Sequence, residues 1–500
     1  MKKQAVNPYL PFWEHIPDGE PHVFDGRVYV YGSNDGDSGT TFCQGDYEGW
    51  SAPVEDLSDW KYEGIIYRKD QDPINGAPYD KNLPPYEKPI YGSGMRFLYA
   101  PDVAKGKDGR YYLYYALDYV NAVSVAVCDT PAGQYEFLGY VTKEDGSIPK
   151  EGRWFDPAIL VEESGNYLYY GFCPKNRFPG MEDQDLSCGR MVRLADDMHT
   201  IVGEPVCIGN GVESAKGTSF EEHPFFEASS IRHLGNLYYF VYSSLQGHEL
   251  CYATSTSPEG PFTYRGVVIS NADLGYQGNT QPVNYYGNNH GGLEMINGKL
   301  YIFWHRQTHG TEFARQGCAD ELTMLPDGTI PQTEVTSCGL NGGPLLARGR
   351  YETYIACQLM EKDRANVVHV VSSGPGNSLP VIPENWPYIT EEENPNGEHS
   401  LKPYIHNMKE GATAGFKYFA FDGTEQEITM ELRGKGVMEA TLDRPDGEVI
   451  AKVTTESTKE DAGNGVWSTV SANLKKTEGS HALFFTTLNG TLDFASFEMK

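Results

Sequence analysis

APDVAKGKDGRYYLYYA, residues 100–116, carries the reading that decides the fold. An acidic residue, Asp102, leads into a short apolar segment. A Lys-Asp-Gly turn follows, and then a run of aromatic residues of the strand-forming type. The stretch reads as a hairpin with a carboxylate at its head. Working outward, the same order of features recurs upstream in PDGEPHVFDGRVYVYGS (17–33). Downstream it recurs in FDPAILVEESGNYLYYGF (155–172), FFEASSIRHLGNLYYFVYSS (225–244) and NNHGGLEMINGKLYIFWHR (288–306). Runs such as VSVAVCDT (123–130) and ELCYATSTS (249–257) supply further strands between the copies. A hairpin with added strands makes a four-stranded sheet, the unit of a propeller blade, so five copies predict five blades.

The lead residues of the copies are Asp18, Asp102, Asp156, Glu227 and His290. The innermost strands of a propeller surround one axis, so these residues converge although they are far apart in the chain. Ionisable side chains are rarely buried unless paired or functional, and four carboxylates make a poor core. Most glycosidases work with two carboxyl groups, one donating a proton to the leaving oxygen and one acting as base or nucleophile. In an inverting enzyme they stand roughly 6.5–9.5 Å apart, a gap that a funnel wall can supply. Glu227 follows Phe225-Phe226, an apolar setting that keeps a carboxyl protonated, which makes it the candidate acid. Asp18 sits in a polar Gly- and Pro-bounded turn and is the candidate base. The residues alone do not choose between Asp102 and Asp156 as the third carboxylate.

Bulk properties narrow the class of partner. The 500 residues exceed what one core usually serves, so two domains are expected. Tyr is abundant, with 34 copies, which favours strands and flat surfaces suited to sugars. A net charge of −29 argues against nucleic acid and anionic membrane surfaces as partners. The nine cysteines are scattered singly with no CxxC pair, which points to free thiols in a reducing compartment. Met1-Lys2-Lys3 is followed by no apolar run, so no signal peptide is expected and a cytoplasmic location is.

PDGEPHVF, YAPDV, FDPAIL, FFEASSIR and NNHG resemble, in order and spacing, the blade motifs of glycoside hydrolase family 43, over about residues 7–340. The resemblance implies a five-bladed propeller and an inverting hydrolase that releases arabinofuranosyl or xylosyl residues from plant cell-wall oligosaccharides. An endo-1,5-α-L-arabinanase is the alternative, and a sugar-binding propeller without catalysis a distant one. It also implies roles: Asp18 as general base, Glu227 as general acid, and Asp156 as the aspartate that tunes the acid and orients the sugar. Arg315 of EFARQGCADEL resembles an arginine that hydrogen-bonds the terminal sugar, and Asp102 becomes either a structural residue of the second blade or a supporting residue of the sugar site. His290 is placed at the propeller centre, beside a structural, hydrated Ca²⁺. One departure stands out. The family's first blade usually reads Asp-Pro-Ser, whereas this chain reads Asp18-Gly19-Glu20-Pro21, so Glu20 competes for the role of base. His305 and His309 of WHRQTH read as inert, because an i, i+4 pair on a strand shares no metal. Cys188 and Cys318 read as unactivated thiols.

The repeats stop near Leu345, which gives a propeller over 1–345 and an accessory domain over 346–500. The strands of the second domain alternate with frequent turns, the pattern of a β-sandwich. GFKYF, GSHALFF and LDFASFEM resemble family 6 carbohydrate-binding modules. Those modules commonly carry two tryptophans where this chain has Asn464-Gly465-Val466-Trp467, so a structural role for Trp467 is expected. The Tyr47–Tyr99 stretch is expected to wall one end of the site and favour exo action.

Overall fold

The structure is a computed structural model that describes residues 3–36, 41–76, 95–177, 181–364, 386–394, 401–456 and 466–500. The chain is all-β, with five antiparallel blades followed by a sandwich. Blade 1 consists of β1 (Glu20–Phe24), β2 (Arg27–Tyr31), β3 (Tyr47–Pro53) and β4 (Lys61–Tyr67). Blade 2 holds β5 (Leu98–Lys105), β6 (Tyr111–Leu117), β7 (Val123–Cys128) and β8 (Glu136–Tyr140). Blade 3 holds β9 (Ala158–Glu162), β10 (Gly165–Tyr170), β11 (Cys188–Leu194) and β12 (Ile201–Asn210). Blade 4 holds β13 (Phe225–Leu234), β14 (Leu237–Ser244), β15 (Glu249–Ser255) and β16 (Thr263–Ser270). Blade 5 has three strands, β17 (Leu293–Ile296), β18 (Lys299–Gln307) and β19 (Arg315–Leu322).

The hairpins form where the turn chemistry allows. Asp25-Gly26 and Asn297-Gly298 both adopt positive φ at each residue, the two-residue turn whose twist matches that of the flanking strands. The second strand of each blade is buried on both faces, as in Tyr111–Leu117, because neighbouring blades pack face against face. This explains why those strands are apolar and aromatic throughout rather than alternating.

The packing shows how the ring closes. One hydrophobic cluster joins Tyr29 and Tyr31 of blade 1 to Val103 and Leu113 of blade 2. Others join Tyr114 to Leu168, Tyr169 to Phe240, and Tyr252 to Ile302. A last cluster joins Phe303 of blade 5 back to Val28 and Val30 of blade 1. The expected fourth strand of blade 5 is missing among the described residues. Its edge is met instead by the N-terminal segment: Tyr9 N–H donates to Gly317 C=O (3.3 Å) and the Asn7 side chain pairs with both backbone groups of Ala319 (2.9 Å each). That segment satisfies the edge without needing strand geometry.

Leu345–Leu346 (β20) is the first strand to join the ten-stranded C-terminal sheet system. Its two longest strands, Glu427–Leu442 and Glu478–Met499, pair with each other along their length. Both layers pack on Phe416, Phe485, Phe494 and Met430. Trp467 lies under two cations, with Lys402 Nζ 4.2 Å and Arg433 Cζ 4.4 Å from its ring centroid, while its Nε1 donates to Glu392 (2.5 Å). Asn464 and Gly465, and residues 77–94 of the expected wall, lie outside the described residues. All nine cysteines are free. The Cys188 thiol lies beside Cys207 and Arg190, which lower its pKa. No described helix is long and apolar enough to cross a membrane.

Candidate active site

Asp18 is joined to Arg315 and lies 4.0 Å from His290, His290 lies 3.7 Å from Asp156, and Asp156 is bonded to the backbone of Ala228, next to Glu227. Asp18 precedes β1 and Asp156 precedes β9, both in left-handed backbone conformation (φ 58° and 47°). Glu227 lies at a β-bulge in β13, where the pairing with β14 slips on either side of it, and Ala228 after it has φ 65°. Non-glycine residues seldom adopt such φ values, and bulges re-aim side chains, so three departures from regular backbone aim three carboxyls at one place. Regular strands would have sent them along the blade faces.

Asp18 is buried yet charged. Burial opposes its ionisation, but the Arg315 guanidinium beside it holds its pKa well below the usual carboxylate range. Arg315 Nη1 donates to Asp18 Oδ1 (2.9 Å). The rest of the guanidinium grips Asp35 through Nε and Nη2 (2.8 Å each) and stacks on Phe42. No described residue donates to Asp18 Oδ2, which leaves that oxygen for a water. His305 Nε2 donates to Asn288 C=O (2.8 Å), so its Nδ1 is free to accept the Asp18 N–H (3.3 Å). His305, read from sequence as inert, is therefore part of the support for Asp18. Sequence reasoning missed Asp35 altogether. It sits in the polar run SNDGDSG, where nothing distinguishes it from Asp37.

Glu227 has the opposite electrostatics. It is half-buried, makes no hydrogen bond among the described residues, and is pushed up to about 8 by burial and by the charge of Asp18. Asp156 is also raised, by burial and by its neighbours Glu227 and Asp18. Its Oδ2 accepts the N–H of Ala228 (2.9 Å), tying it to the bulge that carries Glu227. His290 Nδ1 stands 3.7 Å from Asp156 and 4.0 Å from Asp18. Burial lowers its pKa to about 4, so it is neutral near pH 7.

Two expectations change. Asp102 is fully buried and its oxygens are taken by His22 Nε2 (2.6 Å) and by the N–H groups of Val103 and Ile159 (2.7 Å each). Those bonds tie blades 1, 2 and 3 together and leave no oxygen for a sugar hydroxyl. Asp102 is a strut of the propeller. Glu20 is also buried, facing Ser230 and Arg232 (3.1 Å each), and burial raises its pKa to about 8. A group that holds its proton near neutrality makes a poor base.

One ionised carboxylate and a protonated carboxyl facing a common funnel are the equipment of a glycoside hydrolase. Comparison with known proteins agrees. Residues 53–330 match the family model for glycosyl hydrolases family 43. A xylosidase/arabinosidase of Thermoclostridium stercorarium is 47% identical over 97% of this chain and 96% of its own. The family 43 enzyme GH43_1 of Xanthomonas citri, solved with xylotriose, covers 67% of this chain and 94% of its own, with a TM-score of 0.50 and 23% identity, a likeness of fold alone. A calcium-free form of a family 43 β-xylosidase/α-arabinofuranosidase from a compost metagenome covers 67% of this chain and 98% of its own, with a TM-score of 0.49 and 25% identity. The chain belongs to glycosyl hydrolase family 43, and it is a glycosidase.

Proposed function

We propose that the protein hydrolyses terminal α-L-arabinofuranosyl and β-D-xylosyl linkages of arabinoxylan-type oligosaccharides, with inversion of anomeric configuration. The observation that carries the hydrolytic reading is the opposed setting of two carboxyls: Asp18, paired with Arg315, is held charged, and Glu227, with no hydrogen bond among the described residues, is held protonated; inversion is what the resemblance to the family implies. Glu227 donates its proton to the leaving oxygen as the glycosidic bond lengthens. A water at Asp18 Oδ2 loses a proton to that carboxylate as its oxygen attacks the anomeric carbon. Burial and the charge of Asp18 keep the acid protonated, while Asp156 holds its backbone in place through the Ala228 N–H. Arg315 holds the base, and its remaining Nη1 hydrogen is available to a hydroxyl of the terminal sugar. The sugar classes rest on the name of the 47% identical relative.

A cation at the propeller centre fits the residues present. His290 offers one nitrogen, and Glu20 Oε1, beside Gly292, is buried with no hydrogen-bond partner among the described residues and would lose its proton beside a cation. Calcium prefers oxygen ligands, so His290 would hold a largely hydrated ion. Such an ion would supply positive charge below the sugar.

The test is side-by-side turnover of aryl α-L-arabinofuranoside, aryl β-D-xyloside and linear arabinan, with the first-formed anomer read by proton NMR. Inverted monosaccharide from the aryl substrates is the expected result. Retained configuration, or oligosaccharides released from linear arabinan, would refute it.

A further inference from the structure

The loop between β18 and β19, residues 308–314, delivers Arg315 to Asp18. Its base is closed from within: Thr308 N–H and Oγ1 both donate to Ala314 C=O (2.9 and 2.7 Å). Its tip is held from outside the propeller. His309 N–H donates to Ile389 C=O (2.8 Å), and His309 Nε2 meets Glu391 Oε2 at 2.6 Å. Gly310 lies against the Tyr388 ring, 3.4 Å from where a Cβ would stand. Tyr388, Ile389 and Glu391 all belong to the strand Tyr388–Glu393 of the C-terminal sandwich. His309 itself has φ 60°, a conformation that a non-glycine residue keeps only when its surroundings enforce it. Beyond the tip, Phe313 meets Phe42 edge-on at 4.7 Å, and Phe42 lies under the Arg315 guanidinium.

We infer that Glu391 of the accessory domain is a positioning residue of the active site, acting through His309 to fix the loop that presents Arg315 to the catalytic base. The inference rests on the reading of Asp18 as that base. A second observation agrees with it. The ring of Trp467, where a binding module would stack a sugar, is covered by Lys402 and Arg433 and bonded to Glu392, the neighbour of Glu391. The contribution of the sandwich to turnover is thus support of the funnel rim, and it extends to substrates too small to touch a binding module.

The test uses the full chain and a soluble aryl pentoside. Glu391→Ala is expected to lower kcat about 10- to 100-fold, the cost of a misplacement transmitted from outside the chemistry. KM should change less than about threefold, a loss confined to the transition state, and the melting temperature by less than about 3 °C. Glu391→Gln keeps an acceptor for His309 and should stay within about twofold of wild type. The inference is overturned if Glu391→Ala stays within about twofold of wild type, or if both variants lose activity equally. Should Glu391→Ala fail to fold, His309→Asn removes the pair while tolerating the left-handed backbone. It is held to the same limits. Asp18→Asn, assayed in parallel on the same aryl pentoside, separates the two readings: if it stays active the assignment of the base fails, and if it alone is inactive only the role of Glu391 fails.

Discussion

Replacing Glu227 by Gln removes the proposed proton donor while keeping the size and polarity of the side chain. General acid catalysis of this kind contributes about 10²–10⁴ in rate, or about 3–5 kcal/mol at 1.36 kcal/mol per tenfold. The loss should depend on the leaving group. Xylobiose or an alkyl glycoside departs as a strongly basic alkoxide and needs the proton, so kcat should fall by about 10³–10⁴. A dinitrophenyl glycoside departs as a stable anion, so its kcat should fall by less than about tenfold. The pH profile supplies a second measure. With Glu227 raised to about 8, the acid is about 99% protonated at pH 6 and about 10% at pH 9, so kcat/KM should fall about tenfold between them. Because Asp18 is held low, the same profile should stay flat from neutrality down towards the ordinary carboxylate range. The assay is initial rates on both substrates from pH 5 to about 9.5. Equal losses on the two leaving groups would refute the assignment. So would an alkaline limb that survives in Glu227→Gln. Glu312 and Glu20, also raised to about 8 by burial, are the other candidates for such a limb, and Glu312→Gln and Glu20→Gln would identify which.

Other substitutions separate support from chemistry. Asp35→Asn leaves Arg315 with half its carboxylate partners, and breaking a buried pair of this kind should cost about 3–5 kcal/mol by urea unfolding, with kcat/KM reduced; unchanged stability would deny Asp35 its role. Asp102→Asn weakens the bonds between blades and should cost about 1–3 kcal/mol while KM stays at the wild-type value; a rise in KM without loss of stability would return Asp102 to the sugar site. Trp467→Ala should leave retention on insoluble arabinoxylan unchanged, as measured by pull-down, because the ring is already covered; loss of retention would restore it as a sugar platform.

The propeller was legible because each blade repeats a local pattern: a polar lead, a short turn in or beside a glycine, an aromatic second strand. Those signals act over a few residues and need no knowledge of the rest of the chain. The lead carboxylates were legible for the same reason, since one per repeat implies convergence on an axis. What escaped depends on partners distant in sequence. Nothing near Asp35 announces Arg315, which lies in another blade. His305 looked like half of an unproductive pair because its spacing to His309 was considered, whereas its position opposite Asp18 was not visible. Asp102 carries the same kind of lead position as Asp156, and only the fold shows that its oxygens are consumed by neighbouring backbone. The short fifth blade was also hidden, since its missing strand is replaced by residues that precede the first repeat.

The seam of the ring falls between the first and last blades, and the Asp18–Arg315 bond crosses it. Asp18 therefore gains its counter-charge only when the two ends of the propeller sequence find each other. During synthesis the chain stays chemically idle until the last blade has emerged and docked beside the first. Trimming the segment that runs past Asn7 and Tyr9 would loosen that junction, and with it the charge state on which hydrolysis depends.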